Sequence, residues 1–134
     1  MGERTLVFIK PDGIQRSLVG TVISRFEART LRLVAAQMMN LSDDLIDRHY
    51  AEHVSKPFYP SLKDYMKSGP VLVMVWEGEN VVSVVRKMVG ATNPATAEPG
   101  TIRGDFALTT SSNIVHASDS PESAMREIAN FFPQ

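Results

Sequence analysis

Apolar residues follow two rhythms along this chain. Unbroken runs of apolar and β-branched residues occupy positions 5–9 (TLVFI), 71–76 (VLVMVW) and 114–115, and the mostly apolar stretch 31–41 reads as a further strand. Such runs are how strands buried on both faces read. Between them, apolar positions recur every three or four residues. Leu18, Val19, Val22, Ile23 and Phe26 mark one face of a helix of about three turns, with Arg25, Glu27 and Arg29 off it. Ser42-Asp43 caps a short helix bearing Leu45, Ile46, His49, Tyr50 and His53. Lys56-Pro57 opens another, with Phe58, Leu62, Tyr65 and Met66 on one face, and Gly69-Pro70 stops it. Stretch 80–90 is rich in valine, which favours strands. Yet Val81, Val82, Val85, Met88 and Val89 share one helical face and Gly90 suits a helix end, so the spacing predicts a helix. A last helix starts at Ser120 as N-cap with Pro121 in its first turn, carries Ala124, Ile128 and Phe131, and ends at Pro133.

Two stretches lack either rhythm. Lys10-Pro11-Asp12-Gly13 reads as a turn. Residues 92–105 form a long Pro/Gly loop, and unstructured loops of that length are usually functional or disordered. The order β-α-β-(α-α)-β-α-loop-β-α, without repeat or linker, predicts an α+β chain of the ferredoxin-like βαββαβ plan. That plan is a four-stranded antiparallel sheet with helices packed on it. Strand 31–41 is expected in the sheet's interior. A length of 134 residues suits a single domain with one sizeable core.

Composition narrows the function. A net charge of −1 argues against wholesale binding to nucleic acid or to an anionic membrane, though a local basic site fits inside a balanced total. The chain has no cysteine, which removes disulfides and thiolate metal sites and is compatible with a reducing cytosol. It shows no signal-peptide pattern and no apolar run near membrane-spanning length, so a cytoplasmic location is expected.

Candidate chemistry gathers at element ends. His116 follows Ile114-Val115 and precedes Ala117-Ser118-Asp119, so it is expected where a strand opens into a turn beside a helix N-terminus. Taken alone, it fits a core histidine equally well. Lys10 follows a buried strand directly, which a lysine snorkelling to water also explains. Neither GxxxxGK[ST] nor GxGxxG is present. Lys10, Arg86, Thr92 and Arg103 could instead converge on His116 and bind polyphosphate without a glycine cradle.

Six segments, in this order, carry a family resemblance over essentially the whole chain. They are Ile9-Lys10-Pro11-Asp12-Gly13, His49-Tyr50, Lys56-Pro57-Phe58, Ser68-Gly69-Pro70-Val71, Pro99-Gly100-Thr101-Ile102-Arg103-Gly104-Asp105 and Asn113-Ile114-Val115-His116-Ala117-Ser118-Asp119. The chain resembles the nucleoside diphosphate kinases. The resemblance implies that His116 takes the γ-phosphate of a nucleoside triphosphate and passes it to a nucleoside diphosphate in a ping-pong cycle. It makes Glu127 the carboxylate that fixes the His116 tautomer, Ser118 the hydroxyl behind it, and Tyr50 a neighbour of imidazole and phosphate. Lys10, Arg86, Thr92 and Arg103 become phosphate ligands, with Lys10 and Asn113 reaching the ribose. Phe58, with Leu62 beside it, becomes the base platform, although an isolated Phe58 would read as core. Mg²⁺ is expected to arrive with the nucleotide, since no carboxylate cage is evident. The expected assembly is a homo-oligomer, tetramer or hexamer.

Some positions depart from the family pattern. Thr30 stands where glycine is common, so that helix end is expected to close differently. Ala117 replaces a common glycine, Thr110 a common apolar residue, and the sequence stops at Gln134, short of the tail of many relatives. Two other readings compete. His49-Tyr50-Ala51-Glu52-His53 fits the H-x-x-E-H pattern of a zinc peptidase, against the plainer reading of a surface helix with one inward tyrosine. A non-enzymatic nucleotide-binding or interaction module of the same fold is the second. Against it stand Lys10, Asn113, His116 and Glu127, polar residues that stability alone does not call for.

Overall fold

Strand β1 (Glu3–Ile9) lies at the centre, paired antiparallel with β3 (Val71–Gly78) on one side and β4 (Val115–Ala117) on the other. Strand β2 (Arg32–Met39) pairs antiparallel with β3, giving the order β2-β3-β1-β4 expected of a ferredoxin-like sheet. This computed structural model describes residues 2–133; Gln134 lies outside the described residues.

The sheet is covered on both faces, which is why β1 and β3 are apolar without alternation. Val7 and Ile9 of β1 join Met74 and Trp76 of β3 under helices α2 (Val19–Ala28) and α5 (Val81–Val89). Leu6 and Phe8 join Val73 and Val75 beneath α3 (Asp43–His49), α4 (Tyr59–Met66) and α7 (Pro121–Phe131). The valine-rich segment is helical, as its spacing predicts. Val81, Val82, Val85 and Val89 are buried, each worth roughly 1.5–3 kcal/mol of apolar transfer. That gain outweighs the modest helix penalty of β-branching.

Several expectations need correction. Strand β2 is an edge strand, not an interior one, with Arg32, Ala36, Gln37 and Met38 exposed and a register break between Leu33 and Ala35. Residues 10–13 do not form a plain turn. Pro11 opens the short helix α1 (Pro11–Gln15), its fixed φ suiting a first helical position. The long loop contains α6 (Ile102–Phe106), whose cap Thr101 accepts the Gly104 N–H. A side chain at Gly104 would run into the Glu98 carbonyl, so only glycine lets this loop close on itself. Helix α4 starts at Tyr59, leaving Phe58 outside it as an exposed N-cap.

Thr30 does not close the end of α2 differently. It adopts φ 67°, its N–H bonds the Glu27 carbonyl, and the Leu31 N–H reaches the Phe26 carbonyl. This is the left-handed closure glycine usually provides, here adopted by a β-branched residue.

Candidate active site

His116 is the middle residue of β4, not its end. Strand alternation sends Val115 and Ala117 into the α2/α5 layer and turns His116 to the opposite face. There it stacks on Phe8, its cross-strand partner, with ring centroids 4.7 Å apart. Helix α7 returns across this face. Its N-cap Ser120 accepts the Ser123 N–H, and the helix carries Glu127 to the imidazole.

The Nε2 of His116 lies 2.8 Å from Glu127 Oε1, and Ser118 Oγ donates to the same oxygen at 2.8 Å. Burial pushes the Glu127 carboxyl up, but the hydrogen bonds from His116 and Ser118 more than offset it and leave its pKa lowered. An ionised carboxylate only accepts, so Nε2 carries the proton and Nδ1 keeps its lone pair. Burial lowers the His116 pKa despite Glu127, aided by the charges of Lys10 and Arg103, so the ring is neutral at pH 7.

The turn before β4 holds the site's other side chains. Ile114 sits at φ 75°, rare for a β-branched residue, and the Val115 N–H closes on the Asn113 carbonyl at 2.8 Å. Asp12 holds this strained turn: its Oδ2 accepts the Ile114 N–H at 3.1 Å, and its Oδ1 accepts the Tyr65 hydroxyl. The Lys10 N–H bonds the Ile114 carbonyl at 2.7 Å, and its ammonium donates to Asn113 Oδ1 at 2.7 Å. Burial, with Arg103 nearby, lowers the Lys10 pKa to about 8.

Arg103 is buried and donates to the carbonyls of Val115 (2.7 Å), Gly90 (3.1 Å) and Asn113 (3.4 Å). Those three bonds leave donors of its fork free. Burial and the Arg86 charge lower its pKa to about 10, so it stays cationic at neutral pH. Arg86 donates to the Ala117 carbonyl at 3.2 Å, and Asn113 Nδ2 donates to the Thr92 carbonyl at 3.0 Å.

These groups line a pocket of about 410 Å³. Of the sequence-predicted residues, Lys10, Tyr50, Arg86, Thr92, Arg103, Asn113, His116 and Glu127 reach it. Ser118 is buried behind Glu127. Phe58 and Leu62 stand off the pocket. Phe58 is 51% exposed, beside the His53 ring and the Lys56 ammonium, which removes the core reading. Thr110 is exposed and Ala117 buried. Lys10, Arg48, Arg86, Arg103 and Arg126 face three carboxylates, Glu52, Asp119 and Glu127, so a near-neutral chain carries a locally cationic pocket.

Sequence reasoning missed two groups. Asp12 clamps the Ile114 turn from the far end of the chain and is itself held by Tyr65, contacts no local pattern reveals. His49 turns inward with its ring edge-on to His116, centroids 4.5 Å apart. Its signal was the i, i+3 spacing from buried Ile46. The plainer reading of this helix therefore needs correction, as does the peptidase pattern: His49 ends α3, whereas His53 lies in a separate 3₁₀ turn, Ala51–His53, and pairs with Lys56.

Comparison with known proteins agrees with this geometry. The family model described as Nucleoside diphosphate kinase matches residues 3–134. The nucleoside diphosphate kinase of Methanoregula boonei is 59% identical over 130 residues, covering 97% of this chain and 87% of its own. That of Symbiobacterium thermophilum is also 59% identical with the same coverage. The structure of a halophilic nucleoside diphosphate kinase from Halobacterium salinarum in complex with CDP superposes with a TM-score of 0.96, at 43% identity, over 100% of this chain and 90% of that one. The apo enzyme of Encephalitozoon cuniculi superposes with a TM-score of 0.96 at 42% identity, over 98% of this chain and 90% of that one. The chain belongs to the nucleoside diphosphate kinase family.

Proposed function

We propose that His116 relays a phosphoryl group between two nucleotides. The activity is the family's: a nucleoside triphosphate gives its γ-phosphate to a nucleoside diphosphate. The observation that carries the relay is the 2.8 Å bond from His116 to Glu127, because it sets which ring nitrogen is free. Nδ1 attacks the γ-phosphorus, the N–P bond forms, and the bond to the β-phosphate oxygen breaks, releasing the diphosphate. A terminal oxygen of the second diphosphate then attacks phosphorus and the N–P bond breaks. Splitting one transfer into two gives ping-pong order.

Lys10, Arg86 and Arg103 hold the negative charge of the transferring group, which is most of what catalysis requires in phosphoryl transfer. Thr92 joins them, Lys10 and Asn113 also serve the ribose hydroxyls, and Tyr50 closes over imidazole and phosphate. Phe58, with Leu62 beside it, supplies a stacking face that any base can use, since every base has a π-face. The reaction needs a divalent cation, and we assign Mg²⁺. It would enter with the nucleotide, where it would neutralise phosphate charge beside Lys10, Arg86 and Arg103.

No described helix is long and apolar enough to cross a membrane, and a cytoplasmic location agrees with the cysteine-free composition. The open edge of β2 with exposed Met38 supports a homo-oligomer. Initial velocities with ATP and a second diphosphate test the relay. Parallel double-reciprocal lines are expected, and intersecting lines would mean direct transfer in a ternary complex.

A further inference from the structure

The phosphate relay proposed above gives His49 no role, yet its ring packs edge-on against His116. The Nδ1 of His49 is buried and has no hydrogen-bond partner among the described protein atoms. An orphaned buried nitrogen is uncommon in a folded chain and asks for an explanation, an ion among them. One donor atom each from His49, His116 and Glu127 lie within 4.8 Å of one another. Two imidazoles and a carboxylate are a zinc ligand set, with a fourth position left open, here toward the pocket. Tetrahedral bonds of about 2.1 Å set donors about 3.4 Å apart, so a His116–Glu127 pair now 2.8 Å apart would open slightly while the wider gaps close in, within reach of side-chain rotation. The site is formed across elements, since His49 ends α3, His116 is in β4 and Glu127 is on α7. It uses the first histidine of the His49–His53 pattern and not the second.

We propose that His49, His116 and Glu127 bind a borderline transition-metal ion, Zn²⁺ being the reference case, and that its binding switches phosphotransfer off. Nitrogen donors select such an ion over Mg²⁺, which takes oxygen ligands, so the nucleotide's own cation does not compete. A metal on Nδ1 of His116 occupies the attacking lone pair directly. A metal on Nε2 has the same effect, because the ring proton must then move from Nε2 to Nδ1. No proton is lost in that step; the lone pair simply changes place, and Glu127 exchanges a hydrogen bond for a metal bond. Phosphorylated His116 is in turn a poorer ligand, so the two states exclude each other.

The test uses the full chain stripped with EDTA and no nucleotide, so its outcome does not depend on the relay. Calorimetric titration with Zn²⁺ should give one ion per chain and raise the wild-type Tm, and Co²⁺ should develop visible d–d bands. His49→Gln should weaken binding at least 10-fold and lose the bands, while His53→Gln keeps both. Should His49→Gln fold poorly, histidine side-chain NMR of wild type decides. Zn²⁺ should shift the rings of His49 and His116 and spare His53. Zinc loading should also prevent formation of the acid-labile phosphate adduct from MgATP. Absence of wild-type binding, binding undiminished in His49→Gln, or shifts centred on His53 would overturn the proposal.

Discussion

Oε1 of Glu127 accepts two hydrogen bonds, one from His116 Nε2 and one from Ser118 Oγ, each 2.8 Å long. The pair fixes both the tautomer and the tilt of the imidazole. Ser118 is fully buried and Glu127 nearly so, which strengthens both bonds. Glu127→Gln keeps an acceptor but removes the charge that favours a proton on Nε2. Bonds to charged groups are worth about 1.5–3 kcal/mol, so adduct formation should slow roughly 10- to 100-fold. Rapid-quench measurement of the first half-reaction checks this, and a wild-type rate would mean the tautomer is set elsewhere.

Phe58 separates binding from folding. Because it is 51% exposed, Phe58→Ala should barely move Tm. As a stacking platform, its loss should weaken nucleotide binding by about 1–3 kcal/mol, for purines and pyrimidines alike. Calorimetry with ADP and CDP reads the loss. Unchanged affinity with a lowered Tm would return Phe58 to a packing role.

Lys10 should make binding take up protons. Its folded pKa, about 8, lies below the ordinary 10.5, so free protein above pH 8 holds a largely neutral lysine. Bound phosphate raises that pKa and draws a proton in. Titrations at pH 8.5 in two buffers of different ionisation enthalpy should reveal net uptake, absent in Lys10→Met. The folding linkage has a definite sign too. Between pH 8 and 10.5 the unfolded chain holds more protons at this site than the folded one, so the group's penalty on stability is relieved as pH rises.

Thr30 offers a gain in stability. A left-handed non-glycine residue costs about 1–2 kcal/mol, partly repaid by the higher unfolded-state entropy glycine brings. Thr30→Gly should therefore stabilise the fold by up to about 1 kcal/mol, visible as a Tm rise of roughly 2–5 °C. A fall in Tm would mean the threonine side chain, which bonds the Arg29 carbonyl, contributes more than its backbone costs.

Much of this architecture is legible in the sequence because burial leaves a periodic trace. The Val81–Val89 face and the unbroken β1 and β3 runs are read correctly for that reason. Strand β2 misleads because Met38, Met39 and two alanines resemble an interior strand, and only pairing partners reveal an edge. Phe58 and Pro57 misplace the start of α4, since Pro60, three positions after Pro57, serves the same role. Positive φ at Thr30 and Ile114 is invisible in sequence, as β-branched residues argue against it; a local helix-end closure holds Thr30 and a distant contact from Asp12 holds Ile114. The pocket's predicted residues come from the family resemblance, not periodicity, so His49, Arg48 and Arg126, to which it assigned no role, are added by the structure.

The relay stands or falls with a phosphohistidine on His116. Incubating wild type and His116→Ala with γ-labelled ATP and Mg²⁺, then measuring intact mass and acid lability, tests it most directly. The prediction is one acid-labile phosphate on wild type alone, discharged by GDP or CDP, with His116→Ala still folded and binding nucleotide. A wild-type chain that binds ATP and forms no adduct, or an adduct that survives in His116→Ala, would contradict it.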